Sequence, residues 1–197
     1  MSLRPPHTLP VLPCRKPARG RDYWVLDDVL PDVDAVRERC LAKGDWVQGA
    51  PHKPEPWPGL RAMPALEPAE LARVEKLVRR ATGAKRIWAE DPSGAGTFHH
   101  NCVQVVGEGE CESRPHTDSR TGCRYAAVLY LTPGIPEDCG TSFYRQSPGD
   151  SFTEDLRVPH RYNRLLLYSA DLIHSATGYW GSTLEDKRMT AVFFWMA

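Results

Sequence analysis

The sequence predicts an α+β fold in which two N-terminal helices flank a β-rich jelly-roll core. Two observations carry this expectation. Helical periodicity is confined to the chain before residue 84, and the remainder breaks into short β-like runs separated by turn chemistry. Those runs are "AKRIWAE", "TFHHNCVQVV", "YAAVLYL", "GTSFYR", "NRLLLYS" and "RMTAVFFWM", with no helix-length segment between them, which favours a sandwich or jelly roll over a parallel α/β sheet. A chain of 197 residues suffices for one domain with a sizeable core. That domain is expected over residues 21–197, with helical support over about 28–83 and the jelly-roll core over about 84–197.

The first twenty residues hold five prolines among several basic residues, a composition that buries too little apolar surface to offset its ordering entropy, so residues 1–20 are expected to form a flexible arm. "DYWVLDDVL" follows as a strand leading into a helix over "PDVDAVRERCLAKG", where Val33, Val36 and Cys40 recur at helical spacing and Gly44 supplies the stop. The clearest helix is "EPAELARVEKLVRRATG". Pro68 sits in its first turn, acids come early and arginines late, Leu71, Val74, Leu77, Val78 and Ala81 share a face, and Gly83 ends it. Such an apolar face requires a sheet to cover.

Charge excludes several functions. Lys plus Arg equals Asp plus Glu at 25 each, so no basic field draws in nucleic acid or an anionic membrane. No run approaches the ~18 apolar residues of a membrane span, and the N-terminus lacks an apolar signal region. Six cysteines without a C-x-x-C pair point to reduced thiols and not to a zinc ribbon. A cytoplasmic protein with a small-molecule, amino-acid or peptide partner is expected; a homodimer is compatible with the sequence.

The chemistry concentrates in "RPHTDSRTGC". Alternate residues of an extended segment share a face, so His116 and Asp118 can present an imidazole and a carboxylate to one point. Fe(II) sites of the non-haem type take two imidazoles and one carboxylate and leave positions open. His174, after the apolar run "RLLLYS", is the candidate third ligand. In "RMTAVFFWM", Arg188, Thr190, Val192 and Phe194 share a face of a strand apolar enough to be central. A guanidinium there needs a partner, and a ligand carboxylate held with the help of the Thr190 hydroxyl would supply one.

Taken together, His116-x-Asp118, His174 and Arg188-x-Thr190 resemble the signature of the Fe(II)- and 2-oxoglutarate-dependent oxygenases, in the branch similar to prolyl hydroxylases. "LYLT" resembles that branch's Tyr-Leu-Asn strand, "CGTSFY" its Gly-Gly-x-x-Phe turn, and "VLDDVLPDVDAVRERCL" its N-terminal strand and helix entry. "WPGLR", "RPHTD", "SFYR" and "NRLLLYSADLIHSA", in this order, are similar to a group of small bacterial oxygenases of unassigned substrate. The resemblance spans roughly residues 22–197. It implies a double-stranded β-helix core, Fe(II) on His116, Asp118 and His174, and 2-oxoglutarate gripped at its far carboxylate by Arg188, Thr190 and Tyr130. It further implies use of O2, release of succinate and CO2, and hydroxylation of a C–H bond; retention of Asp118 disfavours halogenation. Three departures stand out. Cys139 replaces the first glycine of the turn, Arg188 lies unusually far beyond His174, and "SATGYWGSTLEDK" forms a longer loop that leaves Lys187 as a rival to Arg188.

Other residues are open to two accounts. Gln104 and Asn101 are candidates for orienting the near carboxylate or supporting the site, or they are ordinary polar strand residues. Arg61, Arg114, Arg145 and Arg164 are candidates for a carboxylate-bearing substrate, or surface ion-pair partners. Trp57, Tyr144 and Trp180 suit a pocket wall or plain packing. Thr117 is expected to point away from the site, and His99 and His100, being adjacent on a strand, cannot easily share a metal. On the triad alone, a cupin-like metal-binding or sensor protein and a zinc hydrolase remain open; the Arg188-x-Thr190 pair has no use in either.

Overall fold

A computed structural model describes residues 16–49, 58–89, 100–119, 122–146 and 151–197. Residues 1–15 of the expected arm lie outside these, as do Trp57 and His99.

Both helices form, and the end signals place α2 and the start of α1. Helix α1 (Val33–Leu41) starts at Asp32, whose side chain accepts from the Ala35 amide at 3.0 Å. It closes on Ala42 in a right-handed conformation, so the stop expected at Gly44 is not used. Helix α2 (Pro68–Thr82) begins with Pro68, is closed by the Glu67 amide donating to Glu70 Oε2 at 2.9 Å, and ends on Gly83 at φ 74°.

The described residues also form ten strands: β1 (Tyr23–Leu26), β2 (Val47–Gln48), β3 (Leu60–Ala62), β4 (Cys102–Val106), β5 (Tyr125–Tyr130), β6 (Thr141–Gln146), β7 (Phe152–Val158), β8 (Leu165–Ser169), β9 (Ile173–Ala176) and β10 (Arg188–Trp195). They build two sheets with antiparallel pairing, one of seven strands in the order β1-β8-β5-β10-β4-β3-β2 and one of three in the order β7-β6-β9. Among the described residues of "AKRIWAE" no strand forms; Trp88 makes an isolated bridge to Met196. The change of texture near residue 84 does not separate the sheets from their support, because β1, β2 and β3 extend the large sheet from both sides.

Strand alternation sorts the large sheet into two faces. Met189, Ala191, Phe193 and Trp195 of β10 join Val103, Val105, Ala127, Leu129, Leu165 and Leu167 against Val36 and Cys40 of α1 and Val74 and Val78 of α2. Full burial of Val74 and Val78 contributes about 1.5–3 kcal/mol each before conformational entropy is charged. The opposite residues of β10, Arg188, Thr190, Val192 and Phe194, face the small sheet and the space between the layers. One row crosses the sheet in register, Arg61 beside Gln104, Gln104 beside Thr190, and Thr190 beside Tyr130.

Candidate active site

His116 and His174 are brought together by backbone pairing. The segment after β4 runs antiparallel to β9 for a single bridge, with the His116 amide donating to the His174 carbonyl at 3.0 Å and the His174 amide returning to the His116 carbonyl at 2.9 Å. Directly opposed residues project to the same side, so the two rings lie 4.5 Å apart. Asp118, two residues on, joins them: its Oδ1 is 3.6 Å from His116 Nε2 and its Oδ2 is 3.4 Å from His174 Nε2. The ligand atoms of the three residues all lie within 4.8 Å of one another.

The outer nitrogen of each ring is held by the backbone. His116 Nδ1 is 2.7 Å from the Arg114 carbonyl, and His174 Nδ1 is 3.0 Å from the Leu172 carbonyl. A carbonyl only accepts, so each Nδ1 carries the proton and each Nε2 turns its lone pair inward. The Tyr168 hydroxyl lies 2.9 Å from both Asp118 Oδ2 and His174 Nε2. It has one proton for two acceptors. Two inward lone pairs and a carboxylate meeting over a single hydroxyl proton form a donor set that fits a divalent cation.

Electrostatics hold Asp118 ionised and His174 neutral, whereas His116 beside the carboxylate favours its proton, which a bound cation would displace. Burial opposes ionisation of Asp118 but is outweighed by the neighbouring histidines and Tyr168, so its pKa falls below the ordinary value. Burial likewise opposes protonation of His116, yet the Asp118 carboxylate raises its pKa. Burial pushes His174 down to about 4, which keeps its ring neutral. Tyr168 is raised well above the usual phenol range by burial and by Asp118, so it remains a donor.

The three side chains open onto a cavity of about 160 Å³. Arg188 lines it, 5 % exposed, with Nε donating to the Cys139 carbonyl at 2.9 Å and a terminal nitrogen to the Gly140 carbonyl at 3.2 Å. Lys187 is turned outward to Glu110 Oε1 at 2.5 Å, so Arg188 and not its neighbour reaches the interior. Thr190 and Gln104 also line the cavity, and Gln104 Nε2 donates to the Pro58 carbonyl at 3.1 Å. Tyr130 stands one layer behind: fully buried, its hydroxyl meets Thr141 Oγ1 at 2.9 Å, and it is Thr141 that faces the cavity.

The four arginines divide. Arg61 and Arg114 line the cavity. Arg145 does not; its Nε grips both oxygens of Asp155, at 2.7 and 2.9 Å. Arg164 is likewise taken up elsewhere, by Asp27 at 2.6 and 3.1 Å and by the Pro159 carbonyl. Both use ion pairs that sequence spacing does not reveal. Thr117, expected to point away, lines the cavity. Asn101 instead staples the chain before α2, exchanging hydrogen bonds with Leu66. His100 packs on Phe193 and Trp195. Tyr144 and Trp180 are not on the cavity wall; from the long loop it is Tyr179 that contributes, its ring 5.9 Å from the Arg188 guanidinium. The Cys139 thiol lies against Gly178, whereas the Cys102 and Cys111 side chains border the cavity. Tyr168 was hidden within an apolar run. Its place two residues from the face-sharing Leu166 on a central strand was the one signal available.

This architecture, a large and a small antiparallel sheet facing each other, is a double-stranded β-helix fold shared with the iron- and 2-oxoglutarate-dependent oxygenases to which it is similar. The chain belongs to a family of unknown function, DUF6445, whose profile matches residues 13–154. No curated protein matches the sequence. Among solved structures, the epimerase SnoN in complex with Fe3+, alpha ketoglutarate and nogalamycin RO is similar with a TM-score of 0.56 and 18% identity, over 89% of this chain and 79% of that one. A prolyl hydroxylase from Trichoplax adhaerens, in complex with a hypoxia inducible factor peptide fragment, is similar with a TM-score of 0.58 and 12% identity, over 88% and 83%. A Pseudomonas putida prolyl-4-hydroxylase is similar with a TM-score of 0.54 and 16% identity, over 88% and 92%. Among the described residues, no helix is long and apolar enough to cross a membrane.

Proposed function

We propose that this protein is a cytoplasmic Fe(II)- and 2-oxoglutarate-dependent oxygenase that hydroxylates a C–H bond of a small molecule, an amino acid or a peptidyl residue. In the overall reaction one atom of O2 enters the new hydroxyl and the other enters succinate, with CO2 leaving from 2-oxoglutarate. The observation that carries the reading is the convergence of His116 Nε2, His174 Nε2 and the Asp118 carboxylate on a cavity that also holds the buried guanidinium of Arg188.

When bound, iron supplies the activation of dioxygen coupled to oxidative decarboxylation of 2-oxoglutarate. The chain's own residues prepare that chemistry. His116 and His174 turn their Nε2 atoms inward because their outer N–H groups are held by carbonyls. Asp118 offers Oδ1 while Tyr168 holds Oδ2. Arg188 and Thr190 receive the far carboxylate of 2-oxoglutarate, and Tyr130 supports that end through Thr141. Gln104, one strand over from Thr190, is placed to orient the other end. A zinc hydrolase would leave the guanidinium of Arg188 without a ligand carboxylate to bind.

Anaerobic titration with Fe(II) and then 2-oxoglutarate should produce a visible metal-to-ligand charge-transfer band, and admission of O2 should yield succinate. Absence of both sinks the oxygenase reading. Loss of the band in Asp118→Ala is expected if it stands.

A further inference from the structure

Arg61 is a buried charged side chain of the cavity that the proposed reaction leaves unused. It sits on β3 at the end of the register row that runs through Gln104 and Thr190 to Tyr130, so its side chain shares their face. It lines the same cavity and is only 7 % exposed. One terminal nitrogen donates to the Gly49 carbonyl at 2.7 Å. Among the described residues no carboxylate pairs with it, and burial lowers its pKa, with the Cys102 thiol as a weak compensating neighbour. A guanidinium placed this deep without a counter-charge is costly unless a ligand completes it.

The balance of charge in the cavity supports this. Three guanidinium groups line it, those of Arg61, Arg114 and Arg188, against one carboxylate, Asp118. A divalent metal and the dianion of 2-oxoglutarate cancel one another. Arg188 is then matched to the cosubstrate and Asp118 to the metal, and Arg61 is left as the buried cation at the β3 end with no counter-charge among the described residues. Val128, Val192 and Phe194 supply apolar wall elsewhere in the same space.

We propose that Arg61 is the anchor for a carboxylate on the substrate, so that the enzyme acts on organic acids with an apolar body, bound alongside 2-oxoglutarate and held by the Arg61 fork. This rests on the oxygenase reading for the identity of the second ligand, but the anchoring itself is a property of the cavity. Tyr179 from the long loop and Arg114 at the mouth border the bound acid.

The test uses matched pairs of 3-phenylpropionate, hexanoate and N-acetyl-leucine with their primary amides. Each is titrated by calorimetry into the full-length protein loaded with Ni(II) and saturating 2-oxoglutarate and, in parallel, into the metal-free protein. At least one acid should bind about tenfold or more tightly than its amide, the difference expected for a charge-assisted fork. Arg61→Met should collapse that preference to less than about twofold, Arg61→Lys should restore part of it, and the affinity for 2-oxoglutarate should be unchanged in both. If no acid exceeds its amide, or if the preference survives in Arg61→Met, the anchor is refuted. A fall in 2-oxoglutarate affinity in Arg61→Met also refutes it, because Arg61 then serves the cosubstrate. Failure of 2-oxoglutarate to bind the wild type overturns the oxygenase reading instead, and the metal-free titrations still report whether Arg61 prefers acids.

Discussion

The Tyr168 hydroxyl donates to Asp118 Oδ2 at 2.9 Å from a buried strand, fixing the carboxylate so that Oδ1 stays directed toward His116. Because the same hydroxyl lies 2.9 Å from His174 Nε2, it touches two of the three candidate ligands. Outer-layer partners of this kind orient ligands and tune their basicity. Tyr168→Phe is therefore expected to weaken Fe(II) affinity by about 10–100-fold with the fold intact. Anaerobic metal titration and circular dichroism check this; an unchanged affinity removes Tyr168 from the support of the site.

Arg188→Ala should weaken 2-oxoglutarate binding by about tenfold to a hundredfold, since hydrogen bonds to charged groups contribute about 1.5–3 kcal/mol. Lysine should not rescue it. Two of the guanidinium's donors hold the Cys139 and Gly140 carbonyls, and a single ammonium cannot hold those and a carboxylate in the same fork. The charge-transfer band at graded 2-oxoglutarate concentrations measures both variants.

Gly140→Ala tests the turn that carries this clamp. An added Cβ would stand 2.0 Å from the Val158 carbonyl oxygen and 2.9 Å from the His160 amide, both backbone atoms that cannot step aside cheaply. Destabilisation of about 1–3 kcal/mol is expected from the overpacking. Because the Gly140 carbonyl accepts from Arg188, 2-oxoglutarate affinity should fall with it. Thermal melting and the same titration read the two effects; a stable variant with unaltered affinity contradicts the close approach.

Acid should destabilise the fold through two histidines remote from the metal ligands. Burial pushes His100 to about 4, and burial with the charges of Arg188 and Arg164 pushes His160 to about 4; His160 also packs its ring 4.7 Å from that of Tyr130. A folded-state pKa below the unfolded value of about 6.5 means that the unfolded chain binds more protons between these limits. The stability contribution is thus complete above about pH 6.5 and is lost as pH falls toward 4. Urea midpoints measured from pH 7 to pH 4 should decline, and His160→Gln should flatten the decline. A slope identical to that of the wild type would exclude His160 as a contributor.

Much of the fold was legible from local signals. Pro68 and Gly83 bracket α2 because ring closure and a left-handed cap act on neighbouring backbone alone. Alternation on β10 correctly separated Arg188, Thr190, Val192 and Phe194 from the residues facing the helices. The pairing of β1 with β8 and of β3 with β4 was not legible, since strand partners distant in sequence leave no local trace. For the same reason the sequence left Arg145 and Arg164 open between substrate contacts and ion-pair partners, and the structure pairs them with Asp155 and Asp27.

By itself the sequence determined the limits of α2, the two-residue spacing that puts His116 and Asp118 on one face, and the apolar strands able to form a buried sheet. These are consequences of backbone geometry over a few residues. Only the tertiary structure decided that His174 lies opposite His116, that Tyr168 closes on Asp118, and that Arg61 enters the cavity without a carboxylate partner among the described residues. Each of those depends on register between segments far apart in the chain, and register is set by the packing of whole faces.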